Sequence, residues 1–337
     1  MKACAMPQYN VNEHNYKVAT VFGGTGFLGR HVVRELARLG YTVKVATRYP
    51  SNIRSLRVNG AVGQIVPVPF TIRDQNAIDQ AVRGSQVVVN CVGILKERKK
   101  GDFKEAHIDL PEEIALSCER HRVKRLVHIS SLTDVPIDGQ GISQYAKSKM
   151  AGEAILHAIF PEATVLRPSV MFGPGDHILG RFAEMARYLP FIPLFGKGVT
   201  LFDPVYVGDV SDAVMASVAL PVVGPMSPLG KTYELGGPDR MALGEIVERV
   251  FFYTKRSRKV IPLSWRVSKI LATILGALPF KIITRDEIKT LRKDSIVDGQ
   301  EKGFVDLGIT PTSMDLIAPQ YLSYYVDGGE IALRKAA

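Results

Sequence analysis

The chain has 337 residues, too many for one ordinary compact core and room enough for one large domain with a smaller lobe. Apolar residues make up 46% and charged residues 23%, a soluble composition that argues against long disordered stretches. There are 43 Lys and Arg against 33 Asp and Glu, so the formal charge of +10 suits an anionic cofactor, an anionic membrane surface or nucleic acid.

Residues 1–15 read as a polar tail with no apolar h-region and no Arg-rich amphipathic pattern, so neither a signal peptide nor a transit peptide is expected. A short apolar strand over 18–22 leads into a glycine loop and a helix over 30–39, which Gly40 ends. Strands follow over 41–47 and 64–68, then a helix over 75–82 closed by Gly84, and a strand over 86–90 that is wholly apolar in its middle. A helix over 110–121, a strand over 125–129, a long helix over 143–160 and a strand over 163–167 complete the alternation. That order predicts an α/β fold, a Rossmann doubly wound parallel sheet. After Gly173 prolines and glycines crowd the chain, a helix over 209–220 and a strand over 232–235 follow, and from Leu243 onward the pattern is mostly helical and basic. We therefore expect residues 16–172 and 201–235 to form the Rossmann domain, and 173–200 with 236–337 a smaller, mostly helical C-terminal lobe.

Cys4, Cys91 and Cys118 form no CxxC pair, as expected in a reducing compartment, and the seven histidines make no ligand cluster, so no metal is expected. The longest apolar run, 271–280, is about half the length of a membrane span, which predicts a soluble or peripheral protein. Residues 251–300 carry eleven Lys and Arg against four Asp and Glu, so much of the excess charge lies outside the nucleotide-binding part. Within them, the helix over 265–278 is apolar on a broad face. Lys255, Arg256, Arg258, Lys259, Arg266, Lys269, Lys281 and Arg285 flank it, and Trp265 stands at its start. That pattern fits either a helix in an anionic membrane interface or a core helix with solvated flanks. Basic residues are not interleaved with stacking aromatics, so nucleic acid is not an expected partner.

The segment from Gly23 to Gly29 follows a strand and opens a helix, the context a GxGxxG loop needs to cradle a pyrophosphate. Arg48 lies 19 residues past Gly29, where NAD-binding domains usually place an acidic residue on the ribose hydroxyls. A guanidinium there can pair with a 2′-phosphate, which favours NADPH over NADH, and Arg30 can assist from the helix start. Tyr145 and Lys149 stand four apart on one helix face, where a lysine can lower a phenol's pKa and hold a nicotinamide ribose.

With the glycine loop, this pair resembles the extended or atypical short-chain dehydrogenases/reductases. Further matches are VVVNCVG (87–93), RLVHISS (125–131), YAKSKMAGE (145–153) and LRPSVMFGPGD (166–176). GILKE, PLFGKGVTLFDPVYVGDVSDAV, KTYELGGP and ITRDEIKTLRKDSIV extend the resemblance over nearly the whole chain, to the nucleotide-binding accessory subunits of respiratory complex I. That resemblance implies NADPH held as a structural cofactor without independent turnover, and the other complex I subunits as partners. It implies a peripheral position near the quinone-binding region, with lipid contact through about 255–300. The location would be the cytoplasmic face of a bacterial inner membrane or, for a processed chain, the matrix side of the mitochondrial inner membrane. By position, the cofactor contacts would be Gly23, Thr25, Gly26, Phe27, Leu28, Gly29, Arg48, Ile72, Val92, Ser130, Tyr145, Lys149 and Pro168, with Tyr145, Lys149 and Ser131 as vestigial catalytic groups.

Three departures weaken the catalytic side of this resemblance. Thr71-Ile72 stands where an acidic residue usually meets the adenine, with Asp74 displaced beyond it; Asp109 replaces an asparagine; and a one-residue shift would put Leu132 in place of the carbonyl-polarising Ser131, with Thr133 beyond. A working NADP-dependent reductase, dehydrogenase or epimerase, and a redox sensor, remain open alternatives on this fold. Replacing Arg48 by Ala should weaken NADPH about tenfold to a hundredfold while leaving NADH nearly unchanged, as titration of each nucleotide would read. Equal weakening of both would remove the 2′-phosphate argument.

Overall fold

The computed structural model describes residues 17–132, 142–221, 223–224, 226–277 and 284–326. The polar tail, Thr133 and Lys281 lie outside them. In chain order the first half runs β1 (Val18–Phe22), α1 (Phe27–Arg38), β2 (Thr42–Thr47), α2 (Arg54–Arg57), β3 (Ile65–Pro69), α3 (Gln75–Val82), β4 (Val87–Asn90), α4 (Asp102–Lys104), α5 (Leu110–Arg120), β5 (Arg125–Ile129), α6 (Gln144–Ile159) and β6 (Thr164–Pro168). The second half runs β7 (Met171–Phe172), α7 (Leu179–Tyr188), β8 (Phe191–Phe195), β9 (Leu201–Phe202), β10 (Val205–Tyr206), α8 (Val207–Ala219), β11 (Thr232–Leu235), β12 (Met241–Ala242), α9 (Leu243–Thr254), β13 (Lys259–Leu263), α10 (Trp265–Ala277), α11 (Arg285–Thr290) and α12 (Met314–Leu322).

Seven strands pair in the order β3-β2-β1-β4-β5-β6-β11, every neighbour parallel. This is the doubly wound plan the alternating pattern predicts, with a further parallel strand added beside β6. Strands β4 and β5 are buried along their whole length because helices cover both sheet faces. On one face Val32, Val33 and Leu36 of α1 pack with Val210, Ala213 and Val214 of α8. On the other, Ile78, Leu110, Ile114 and Leu156 join α3, α5 and α6. The β1–β4 boundary is where chain order reverses, so the crevice at the carboxyl ends of the strands opens there.

Between α4 and α5 the helix widens into a π segment, Glu105–Asp109. Sequence alone starts this helix at Leu110, because Pro111 suits a first helical position and charged residues precede it. The chain begins helical structure earlier because the Glu97 carboxylate accepts the Gly101 and Phe103 N–H groups, and Asp102 accepts those of Arg98 and Lys99. α6 lies against this segment at Gly152, where a β-carbon would stand 1.7 Å from the His107 carbonyl oxygen.

The second lobe has its own core of Phe172, Leu179, Ile192, Ile246, Val250, Met314 and Leu322. It also holds a parallel pair, β8 with β13, that the helical reading missed. Pro193 and Pro262 disguise these short strands in sequence, and proline is tolerated where a two-stranded ribbon offers only edges. The chain crosses between lobes more often than composition implies. Phe304 and Leu307 return to the core beneath α1 and α8, Lys302 bridges to Tyr233 of β11, and β9 pairs with β12 in the second lobe. Gly152→Ala should cost about 3 kcal/mol in urea unfolding, since neither backbone can yield. An unchanged midpoint would contradict the close approach of α6 to the π segment.

Candidate functional site

The β1–α1 loop is built for backbone contact. Gly23 has φ +73°, and a β-carbon there would meet the Cys91–Val92 backbone at 3.1 Å. At Gly29 a β-carbon would stand 2.1 Å from the Gly23 carbonyl oxygen and 2.7 Å from Gly24 Cα, so only glycine lets α1 pack onto its own loop. The Gly26 N–H donates to Gly23 O at 2.9 Å, closing the turn. α1 has no side-chain cap and no acid in its first turn, so no side chain competes for its leading N–H groups. Such a helix start favours an anion. α1 begins at Phe27, three residues before the sequence-based start, so Phe27 and Leu28 belong to its first turn.

Arg48 is exposed just past the end of β2 and lies over the Tyr49 ring at 5.9 Å. Its place suits a 2′-phosphate. Arg30 is engaged elsewhere. It donates to the Pro174 carbonyl at 2.6 Å and lies 5.4 Å from the Phe27 ring centroid, tying the 173–176 turn across the glycine loop. Asp74 is the N-cap of α3, where its Oδ1 accepts the Ala77 N–H at 3.0 Å. Ile72 is half-buried beside the same edge, and the Val92 N–H is fixed by Asn90 Oδ1 at 3.0 Å. Asp109, the residue standing in for an asparagine, is paired with Lys104.

Ser130, Ser131 and Leu132 leave β5 toward the crevice. The Leu132 N–H donates to the Pro168 carbonyl at 3.0 Å, joining the β5 and β6 ends. Among the described residues the buried Ser130 Oγ has no hydrogen-bond partner, an open capacity at the carboxyl end of β5. Ser131 faces the Tyr145 phenol and partly offsets its shift, but completes no well-formed hydrogen bond. Burial raises the phenol pKa, and Lys149 is not among the causes. The expectation of a lysine-lowered phenol is therefore corrected: Lys149 Nζ is directed at the Ile129 carbonyl, 2.8 Å away. Burial lowers the lysine itself to about 8, against help from Glu153 and Cys91.

Two groups here carry no motif signal. His107, in the π segment, accepts the Ile94 N–H at Nε2 (3.1 Å), and its Nδ1 lies 2.8 Å from Ser148 Oγ, which donates to the Tyr145 carbonyl. These bonds fix a neutral Nδ1–H ring, consistent with a pKa that burial pushes down to about 3. The His107 and Phe103 rings stand 5.5 and 6.0 Å from the Tyr145 ring. Asp286, 141 residues beyond Tyr145, accepts the Tyr145 N–H at 3.1 Å and the Gln144 N–H at 2.8 Å. A carboxylate from the second lobe thus caps the helix carrying the Tyr-Lys pair. Trp265 packs on Gly196, with Arg292 over its ring at 5.6 Å.

The glycine turn, the parallel order and the Tyr-Lys helix also recur together in known proteins: the family model for the NAD dependent epimerase/dehydratase family matches residues 19–236. The chain belongs to this family. It is 35% identical to the mitochondrial NADH dehydrogenase (ubiquinone) 1 alpha subcomplex subunit 9 of Arabidopsis thaliana, over 93% of this chain and 79% of that one. The mouse subunit 9 is 34% identical over 89% of this chain and 78% of its own, and the 40 kDa subunit of the Neurospora crassa NADH-ubiquinone oxidoreductase is 33% identical over 91% and 79%. Among solved structures, dTDP-glucose 4,6-dehydratase from Streptomyces venezuelae aligns with a TM-score of 0.69 at 18% identity, covering 91% of this chain and 96% of that one. That likeness is one of fold.

The buried lysine carries a pH signature. Above the ordinary lysine range near 10.5, folded and unfolded chains are both neutral at this group, and burial costs no charge. As pH falls toward about 8 the unfolded chain takes the proton first, so the folded state loses stability, completely so below about 8. Without cofactor, the wild type should therefore gain about 3 kcal/mol relative to Lys149→Met between pH 8 and 10.5. Parallel stability curves for the two proteins would contradict a buried, titrating lysine.

Proposed function

We propose that the chain is an accessory subunit of respiratory complex I that holds NADPH as a structural cofactor. The observation that carries this reading is similarity to complex I subunits over 89–93% of the chain, second lobe included, where the family model ends at residue 236. The site supports the same reading. Its cradle for a pyrophosphate is intact, and Arg48 stands free of acidic neighbours in sequence for a 2′-phosphate. Burial raises the Tyr145 phenol, so at neutral pH it stays protonated and can donate a hydrogen bond but not act as a base. Tyr145 and Lys149 then serve to hold the nicotinamide ribose, and Ser130 to complete the pocket edge. When bound, NADPH would supply structural cohesion, joining the β1, β4 and β5 strand ends to α6.

Partners are the other complex I subunits. The second lobe faces the membrane near the quinone-binding region, on the matrix side in a mitochondrion or the cytoplasmic side in a bacterium. Val267, Ile270 and Ile274 form an exposed apolar stripe on α10, with Arg266 and Lys269 exposed beside it, as a lipid or subunit contact needs. No helix among the described residues is long and apolar enough to cross a membrane. A working NADP-dependent reductase is the second reading, favoured by the Ser131 hydroxyl facing the phenol.

Fractionation separates the two. The native protein should co-migrate with membrane complex I, and Tyr145→Phe should keep both its nucleotide and its place in the complex. A free soluble protein that reduces a carbonyl substrate with NADPH, and loses that activity in Tyr145→Phe, would establish the reductase instead.

A further inference from the structure

Away from the dinucleotide crevice, the second lobe carries a basic cavity of about 450 Å³ lined by Arg187, Tyr188, Leu189, Pro190, Ser257, Arg258 and Lys259. Two chain turns build it. One is the exit of α7, where Tyr188 to Phe191 runs into β8; the other follows α9, where Lys255 takes a left-handed conformation (φ +51°) and turns the chain into β13. The parallel pairing of β8 and β13 sets Lys259 directly opposite Phe191, so the two turns share one end of the ribbon. Ile192, next to Phe191 along β8, is fully buried.

Three positive side chains converge here, and none has a carboxylate within ion-pair distance among the described residues. Arg187 only lies over the Tyr188 ring, 5.5 Å from its centroid. Arg258 spends one Nη1 hydrogen on its neighbour's carbonyl, and its Nε is shut from solvent with no acceptor at all. An unpaired buried guanidinium donor of this kind costs stability. A solvated basic surface would leave that nitrogen in water.

The rim has the opposite character. Tyr188, Leu189, Pro190 and Phe191 are consecutive and all exposed. Large apolar side chains standing in water around a cationic cavity match an interface whose phosphates lie beside its acyl chains.

We propose that this cavity is a binding site for the phosphate of an anionic phospholipid headgroup, with the Tyr188–Phe191 turn entering the interfacial layer around it. The ligand chemistry is a phosphodiester: Arg187 and Arg258 offer paired N–H donors and Lys259 a mobile ammonium. The site deepens the reading that the second lobe faces a membrane and rests on it. It names contacts outside α10 that would anchor the lobe through its charge.

The test uses the full chain with its cofactor bound. Vesicles of phosphatidylcholine, with and without phosphatidylglycerol, are floated with the wild type and with the combined Arg187→Gln, Arg258→Gln, Lys259→Gln variant. The wild type should bind the anionic vesicles, more weakly as salt rises, and the variant should lose roughly a hundredfold in affinity with nucleotide content unchanged and Tm no lower. Should the triple variant fold poorly, Lys259→Glu alone, at an exposed position, should still lower binding more than tenfold. Equal binding by wild type and variant would overturn the cavity while leaving a membrane-facing lobe in place. No vesicle binding by the wild type would overturn both, leaving complex I membership to the fractionation. Binding of glycerol phosphate or inorganic phosphate in calorimetry, lost in the variant and with no vesicle binding, would make the source a free phosphate and overturn the lipid assignment.

Discussion

The structure depends on one close approach: α1 rests on the carbonyl of Gly23 through Gly29, with no room for a single carbon between them. That contact points the first turn of α1 across the ends of β1 and β4. It leaves backbone N–H groups where a pyrophosphate fits and sets the distance from loop to β2, so that Arg48 falls at the far end of the same crevice. Any side chain at Gly29 would push the helix away and dissolve the anion site together with the packing of Val32, Val33 and Leu36 beneath it.

Around that crevice the two lobes are tied by polar contacts that belong to neither alone. Arg30 of α1 reaches the Pro174 carbonyl, and Asp286 of α11 caps α6 beside Tyr145. Asp203 takes both Arg240 Nε and Nη2 as well as the Val297 N–H, and Asp209 holds the Thr312 N–H and hydroxyl. Several of these carboxylates are buried, where a paired charge fixes geometry more than it adds net stability. The consequence is mechanical. Whatever presses on α10 and α11 is joined through Asp286 to the helix that carries the candidate ribose-binding pair, so cofactor and partner contacts share one framework.

The first half of the fold is legible in sequence because its signals are local. The β5 strand over 125–129 and the α3 helix over 75–82 follow from apolar periodicity and flanking glycine, and Tyr145 with Lys149 follows from a four-residue spacing. What escapes is set by tertiary contact. The π segment holding His107 owes its existence to carboxylates of Glu97 and Asp102 reaching back to the chain, a feature no helical periodicity reveals. Asp286 has meaning only once α11 lies on α6, and β8 and β13 are recognisable as strands only once they pair. Arg30 looks like a ligand residue in sequence, yet the fold commits it to Pro174, and the packing of Trp265 onto Gly196 has no signal in sequence.

The central claim is that this crevice retains a phosphorylated nicotinamide dinucleotide. Native protein passed through gel filtration, denatured, and its released nucleotide identified by mass spectrometry tests this most directly. The account requires NADP(H) in stoichiometric amount. Release of unphosphorylated NAD(H), or of no nucleotide from protein that also fails to take one up, would contradict it.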